Sequence, residues 1–387
     1  MRRDGPCSKI ISLLKTNCIN NNNNNIILGP ATHLSSDQET VLVNWIHNMK
    51  KINYGVTQIE LPDVVKGLLD QAEKNWHIIP ADKKFANNKP SNNWVYRFLE
   101  RHPEVSVVRM RKNLKIQQPN IAEPMVWKWF ADLKFFLSEN HNLDVRRFFS
   151  DEAADRIFKL DDSKFPLEGN DSILGVISQR RPKTRNPSPS IDNNKEQITL
   201  LACVSAAGTF QKPMVIYPGV RTPKYNFSGV NASDFDVSHS INGCMTVDIF
   251  FTWLSCLFYP SVKDKVQFPI VLFMDGRTSH INFAVTDFCH KHGIILYCFP
   301  AHGSNDLQPL DDCVFGPLET AWNKSVDQFK LLFQILPTGN QFFQVFDQAW
   351  KATTASSQRI VSGFRSTGLV PWDLEHVLRQ VGDTFFY

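Results

Sequence analysis

Residues 268–318 read FPIVLFMDGRTSHINFAVTDFCHKHGIILYCFPAHGSNDLQPLDDCVFGPL, and this stretch decides the fold. It begins with an uncharged run of aliphatic and aromatic residues, 268–274, which is typical of a strand buried on both faces. The run ends at Asp275. A buried carboxylate is costly unless a partner compensates it, so an acid at the end of such a strand indicates a cation site. A capping role at the start of the following helix fits the spacing equally well.

The pattern after Asp275 predicts a helix and then a second buried strand. Apolar residues recur at helical spacing from Ile281 to Phe288, and Gly293 ends that helix. Residues 294–299 form the next apolar run, and a helical crossover makes two such strands parallel. Because sites in parallel α/β sheets form at the carboxyl ends of strands, we expect Asp275 and the loop before Asp311 at the same edge.

Three strings in this stretch, MDGRTSH, LQPLD and FGPL, resemble the catalytic half of the pogo/Tigger-like DDE transposases, the group that includes centromere protein B. The resemblance implies a multidomain chain: an all-α helix-turn-helix DNA-binding unit followed by an α/β ribonuclease-H-like catalytic domain. It also implies DNA phosphodiester hydrolysis and strand transfer, with Mg²⁺ or Mn²⁺ as the cofactor. Three carboxylates would hold two such ions about 4 Å apart.

By the same resemblance, the catalytic and metal-binding residues are Asp151, Asp275 and Asp311. The LQPLD string selects Asp311 over its neighbour Asp312 as the third acid. Residues 145–150 are predicted to form a short strand that delivers Asp151 at its end. The family continues its first acid as D-E-S/T-G, whereas residues 151–154 here read DEAA.

Two functions from different classes fit the sequence. One is a metal-dependent DNA endonuclease or transposase. The other is a domesticated, catalytically silent nuclear protein that binds a specific DNA sequence. The sequence also departs from the family pattern. Arg277, two residues after the second acid, could compete with a metal ion or pair with DNA, so it fits either function.

Length and composition bound the remaining alternatives. The 387 residues, 42% of them hydrophobic, are enough for one large core and a smaller one. No apolar run approaches the roughly 20 residues of a spanning helix, so no membrane is expected as a partner. The start of the chain predicts no signal peptide, and the eight cysteines include no CxxC pair. Free thiols in a reducing compartment are therefore expected, and with the family resemblance this places the protein in the nucleus.

The positive charge is concentrated in one segment. Residues 80–118 contain nine Lys or Arg against three acidic residues, while the net charge of the whole chain is only +4. Such a basic segment is typical of phosphate contact, and a solvated helix face is the alternative.

Three short helices are predicted around this basic segment. Ser36 and Glu39 form a predicted capping box for the first helix, Pro62 lies in the first turn of the second, and Ser91 caps the third. The string WVYRFLERH, residues 94–102, resembles the centromere-protein-B-type DNA-binding domain. Double-stranded DNA is the expected partner, since a recognition helix of such a unit enters the major groove. The predicted DNA contacts are Arg97, Arg101, Arg109, Arg111 and Lys112.

These patterns divide the chain into five segments and are compatible with a homodimer. The predicted segments are a disordered Asn-rich lead (1–29), the helix-turn-helix domain (30–118), a connecting helix (119–143), the ribonuclease-H-like domain (144–372) and a tail (373–387). The catalytic domain is expected to contain an antiparallel hairpin ahead of the strand, helix and strand of residues 268–299.

Overall fold

A computed structural model describes residues 33–76, 85–105, 123–166, 197–219, 230–275, 281–300, 307–335, 337 and 341–383. The Asn-rich lead lies outside these residues. So do three of the predicted DNA contacts, Arg109, Arg111 and Lys112.

The three predicted helices of the DNA-binding unit are present as α1 (Ser36–Lys51), α2 (Leu61–Trp76) and α3 (Asn92–Arg101). Trp94 and Phe98 of α3 are buried, as their spacing predicts, and their rings stack with centroids 5.2 Å apart. The helical unit is thus built around aromatic side chains on the inner face of α3.

The capping box of α1 lies one residue earlier than the sequence predicts. The Ser35 side chain accepts a hydrogen bond from the Gln38 backbone N–H at 3.2 Å, and Gln38 Oε1 accepts one from the Ser35 N–H at 2.9 Å. The prediction of Ser36 and Glu39 was wrong because Glu39 is 4% exposed and points into the domain, where it pairs with α3.

The carboxy-terminal part of the chain contains a six-stranded sheet. Its strands are β1 (Ile157–Pro166), β2 (Gln197–Ser205), β3 (Met214–Pro218), β4 (Asp236–Ser240), β5 (Ile270–Met274) and β6 (Ile294–Cys298), in the order β4-β3-β2-β1-β5-β6. The β2–β3 hairpin is antiparallel and the β5–β6 pair is parallel, both as predicted. β1 joins the two halves, antiparallel to β2 and parallel to β5. This is the ribonuclease-H-like arrangement, with β4 added at one edge.

The strand predicted at residues 145–150 is a helix. Residues Val145–Phe148 form α5, whose first turn is capped by Asp144, and a 3₁₀ turn, Asp151–Arg156, leads into β1. Phe148 and Phe149 are both buried. A strand would place these neighbours on opposite faces, whereas a helical turn followed by a bend lets both pack inward. The first strand of the sheet therefore begins at Ile157, after Asp151.

The remaining helices surround the sheet or follow it. They are α4 (Glu123–His141), α6 (Val247–Thr252), α7 (Tyr259–Val262), α8 (Phe283–Lys291), α9 (Gly316–Phe333), α10 (Phe342–Thr354), α11 (Ser357–Ser366) and α12 (Leu374–Asp383). A π-helical segment, Trp253–Phe258, joins α6 to α7, and another, Asp311–Phe315, precedes α9. The predicted tail thus contains helix α12.

Two elements from the amino-terminal half cover the outer edge of β6. The indole Nε1 of Trp129, in the connecting helix α4, donates to the Cys298 carbonyl at 2.9 Å, and its ring stacks on Phe299 at 4.9 Å. The Ile52 carbonyl, just after α1, accepts from the Cys298 N–H at 2.9 Å. These contacts satisfy backbone groups that an edge strand otherwise leaves open to association.

Candidate active site at the carboxyl edge of the sheet

Two acidic residues from neighbouring parallel strands lie at one edge of the sheet. Asp275 directly follows β5 and is half-buried, and every residue of β5 is buried. In the pairing of β1 with β5, Lys159 lies opposite Phe273. Continuing this register by two residues sets Asp161 opposite Asp275. The sheet therefore brings Asp161, within β1, beside the carboxyl end of β5, which Asp275 follows.

Asp161 has a cation as its direct neighbour. Its side chain is 12% exposed, and its Oδ2 lies 3.0 Å from Nζ of Lys159. Lys159 precedes it by two residues on β1, so both side chains lie on the same face of the sheet. The Lys159 side chain is fully buried, and its Nζ lies 4.9 Å from the centroid of the Phe299 ring. The second oxygen of Asp161, Oδ1, accepts from the Asp162 N–H at 2.9 Å.

A third carboxylate, that of Asp162, adds negative charge at this edge. Burial, together with the neighbouring charges of Asp161 and Asp275, raises the pKa of Asp162 to about 6, against the opposing effect of Lys164 and Lys159. Asp162 directly follows Asp161 in β1, so its side chain lies on the other face of the strand.

The raised pKa of Asp162 predicts a stability that depends on pH. Because the folded chain holds the proton more tightly than the unfolded chain, whose value is near 3.8, this contribution is fully present below pH 4 and is lost as the pH rises through 6. Without divalent cations, Asp162→Asn should stabilise the chain by about 1–3 kcal/mol at pH 7 and by little at pH 4. Urea unfolding at the two pH values measures this.

The exposed Asp264→Asn provides the matched control, since its side chain is 83% exposed. That variant should shift the stability equally little at both pH values. A gain for Asp162→Asn that is the same at pH 4 and pH 7 would contradict the burial of its charge.

Asp151, the acid that the family resemblance selects first, lies outside the sheet. It begins the 3₁₀ turn ahead of β1, and its side chain is 58% exposed. Both of its oxygens accept from Nη2 of Arg365 in α11, at 3.0 and 3.2 Å. The register of the sheet places Asp161 opposite Asp275, and it does not place Asp151 there.

The third predicted acid is described only in its backbone. Asp311 begins the π-helical segment that leads into α9, and the side chains of Asp311 and Asp312 lie outside the described residues, as do residues 276–280. Val314 and Leu318 are buried, which agrees with the face predicted for this helix. In the part of the chain that is described, no group of three His, Cys, Asp or Glu side chains could hold a metal ion.

The sequence contains a second pattern, around Asp161, that resembles the one at Asp275. Residues 157–160 read IFKL and precede two acids, although here the strand continues through both acids to Pro166. Residues 161–163 read DDS, an acid, a second acid and a hydroxyl, as in the first three positions of the family pattern D-E-S/T-G, whereas Lys164 stands in place of the glycine. Lys159 obscured the strand because it interrupts the apolar run.

The two described DNA-contact candidates differ in their surroundings. Arg97 is exposed on α3. Arg101, one turn later, donates to Glu39 through Nη2 at 2.6 Å and through Nε at 3.1 Å. Nε2 of His102 lies 2.9 Å from the same carboxylate. Arg101 thus neutralises a buried acid, whereas the Arg97 guanidinium faces solvent.

Known proteins match both halves of the chain. The family model described as DDE superfamily endonuclease matches residues 195–364, and the model described as Tc5 transposase DNA-binding domain matches residues 35–109. A protein named MFS-type transporter clz9, from Cochliobolus lunatus, is 27% identical over 226 residues, which are 58% of this chain. The match spans only 24% of the length of that relative. Among the described residues of this chain, no helix combines the length and the apolar character needed to cross a membrane.

Similar solved structures include complexes and a domain of the Mos1 mariner transposase. The paired end complex with Mn is 12% identical, with a TM-score of 0.39 and coverage of 97% of this chain and 87% of that chain. The isolated Mos1 catalytic domain is 13% identical, with a TM-score of 0.38 and coverage of 68% and 96%.

The two family models match in the order in which the structure places a helical unit and a ribonuclease-H-like sheet. The chain is therefore similar to the DDE superfamily endonucleases over residues 195–364 and to the Tc5 transposase DNA-binding domain over residues 35–109, which lie ahead of them.

Proposed function

We propose that this chain is a DNA endonuclease of the transposase type, in which the helical unit binds double-stranded DNA and the carboxyl edge of the sheet cleaves it. The observation that carries the proposal is the β1–β5 register: it pairs Lys159 with Phe273, and its continuation by two residues brings Asp161 alongside Asp275. In an α/β sheet of this kind, the carboxyl ends of adjacent parallel strands are where sites form. The match of residues 195–364 to the endonuclease family supports the same function.

The proposed catalytic acids are Asp161, Asp275 and Asp311. Asp161 takes the first position because it lies on the sheet beside Asp275 and because residues 161–163 keep the acidic pair and hydroxyl of the family pattern. Asp311 keeps the third position on the strength of the LQPLD string. Asp151 is the competing candidate for the first position, and the variants described in the Discussion separate the two.

The residues at this edge suit a hard divalent cation such as Mg²⁺ or Mn²⁺, because carboxylate oxygens are the ligands that such ions prefer. When bound, the ions would supply Lewis-acid activation of the attacking and leaving oxygens of a phosphodiester. The chain itself supplies position: the fully buried strand β5 holds the backbone at Asp275, and the Asp162 N–H holds one oxygen of Asp161. The Lys159 ammonium lies 3.0 Å from the other carboxylate oxygen of Asp161, Oδ2, and so reduces the negative charge of the site.

DNA binding by the helical unit should depend on Arg97. Because Arg97 is exposed on α3, we expect Arg97→Ala to weaken duplex binding several-fold and to reduce the slope of log affinity against log salt by about 0.9, the effect of one phosphate contact. Fluorescence anisotropy with the full chain at several salt concentrations measures both quantities. Replacing the exposed Lys128 of α4 with Ala is the control for general charge. A slope that stays the same after Arg97→Ala would mean that Arg97 is only solvated surface.

Cleavage of supercoiled plasmid tests the proposed activity directly. The full chain is incubated with a plasmid that carries terminal inverted repeats, in Mg²⁺, in Mn²⁺ and in EDTA. Nicked or linear product that requires the divalent ion is the expected result. Binding to the plasmid without any product in either ion would reject the endonuclease and leave the second candidate.

That second candidate is a catalytically silent, domesticated DNA-binding protein. The pairing of Lys159 with Asp161 favours it, because an ammonium already neutralises one of the proposed metal ligands. A nuclear location and a homodimer are proposed for either function, and fluorescence microscopy and sedimentation of the full chain test them.

A further inference from the structure

Lys159 is a buried cation at the edge of the sheet where the proposed metal ligands lie. Its side chain is fully buried, although it belongs to a strand whose neighbouring residues Ile157, Phe158 and Leu160 form part of the apolar core. A charge withdrawn from water is costly unless an opposite charge accompanies it. Asp161, at 3.0 Å, is the carboxylate that meets this need.

The Asp162 carboxylate also feels the charge of the ammonium, whose further neighbours are an aromatic ring and two thiols. The Phe299 ring, at 4.9 Å, offers a cation–π contact. Burial raises the pKa of the Cys203 and Cys298 thiols, so both are neutral near the ammonium. Within the described residues, Nζ has no hydrogen-bond acceptor in good geometry, so its contact with Asp161 is an ion pair held by charge.

We propose that the Lys159 ammonium is a built-in cation that competes with a divalent metal ion for the Asp161 carboxylate. This inference rests on the proposed function, since it takes Asp161 as a metal ligand. Two features of β1 carry it. Residues 159 and 161 lie on the same face of the strand, and a buried ammonium cannot move its charge far from the carboxylate without losing its partner.

The competition should be measurable as a change in metal affinity. A positive charge next to a metal ligand repels a divalent cation strongly in an environment of reduced dielectric constant. Removing it should tighten Mn²⁺ binding by about tenfold or more. Methionine is the suitable replacement, since it preserves the length and the packing of the side chain without its charge.

The experiment compares Mn²⁺ binding to the full chain by isothermal titration calorimetry in wild type, Lys159→Met and Lys164→Met. Lys164 lies on the same strand but is exposed, so its removal changes the net charge equally without emptying the position beside Asp161. We expect tighter binding in Lys159→Met and a change of less than about threefold in Lys164→Met, because water screens the exposed charge. Adding Asp161→Asn to Lys159→Met should remove the gain.

Equal Mn²⁺ affinity in wild type and Lys159→Met would overturn the proposal. So would an equal gain in both lysine variants, because a change in net charge would then explain it. Should Lys159→Met fail to fold, Lys159→Gln replaces it with a neutral polar side chain. A double-mutant cycle at positions 159 and 161, followed by thermal unfolding, checks the ion pair itself, and additive effects on Tm would also overturn the proposal.

The outcomes separate this inference from the proposed endonuclease function. If Lys159→Met binds Mn²⁺ more tightly but neither protein cuts DNA, the competition stands and the endonuclease function fails. If the wild type cuts DNA and Lys159→Met has unchanged Mn²⁺ affinity, the endonuclease stands and the competition fails.

Discussion

Asp161→Asn should reduce metal-dependent DNA cleavage by about 10²–10³-fold, whereas Asp151→Asn should leave it within about threefold of wild type. The reason is the position of each carboxylate. Asp161 lies opposite Asp275 on the sheet, while Asp151 precedes β1, is exposed and pairs with Arg365. An amide keeps the shape of the carboxylate but removes the charge that holds a divalent cation.

Plasmid nicking in Mn²⁺ measures this difference, with each variant first compared with wild type by DNA affinity and Tm. The Tm comparison is needed because Asp161→Asn leaves the Lys159 ammonium without its carboxylate. If Asp151→Asn abolishes cleavage and Asp161→Asn retains it, the first acid is Asp151 and the assignment from the sheet register is wrong. Asp275→Asn is the positive control, since both assignments require it.

Arg101→Ala should destabilise the helical unit by about 1–3 kcal/mol. Arg101 donates two hydrogen bonds to Glu39, whose side chain is only 6% exposed, and its removal leaves that buried carboxylate with His102 alone. The Arg101 side chain is itself 33% exposed, so water replaces part of what is lost and the effect should lie below that of a fully buried pair.

Urea unfolding of the full chain, monitored by tryptophan fluorescence, measures this loss. Arg97→Ala is the matched control, since it removes the same side chain from the exposed face of the same helix and should change the stability by less than about 0.5 kcal/mol. Replacing Glu39 and Arg101 together with methionine should recover most of the loss, because no buried charge then remains. Equal stabilities of Arg97→Ala and Arg101→Ala would show that the pair with Glu39 contributes nothing.

The two predictions together separate binding from folding in the basic segment. Arg97→Ala should affect DNA affinity and spare stability, while Arg101→Ala should do the reverse at salt concentrations where the domain stays folded. In the sequence Arg97 and Arg101 look equivalent, because each comes three residues after a buried aromatic residue of α3, Trp94 or Phe98. Only the packing of α3 against α1 distinguishes them.

Much of the fold follows from local pattern. The buried parallel strands β5 and β6 were predictable because each is an uninterrupted apolar run, and α8 between them was predictable from its helical spacing. The position of Asp275 directly after β5 was predictable for the same reason, while its role as a site residue stays a prediction. The helices α1, α2 and α3 likewise follow from apolar spacing.

The first strand of the sheet could not be placed in the same way. Lys159 interrupts the run that precedes Asp161, while the aromatic pair at residues 148–149 made an earlier segment resemble a strand. That segment is helical because Asp144 caps it and both aromatic rings pack inward. The local sequence pattern was therefore ambiguous at β1, where the charged residue Lys159 is buried beside Asp161.

The sequence by itself determined the buried strand β5 that ends just before Asp275, and the strings around Asp275 and Asp311 that resemble the endonuclease family. The tertiary structure decided which charges meet. Lys159 meets Asp161 because β1 folds them onto one buried face, and Arg101 meets Glu39 across 62 residues of chain. Arg365 meets Asp151 across 214 residues. The pairs Arg101–Glu39 and Arg365–Asp151 depend on packing between distant segments, which burial of the whole core sets rather than any local sequence. Lys159 and Asp161 are only two residues apart, and for them the tertiary structure decides the burial of the pair.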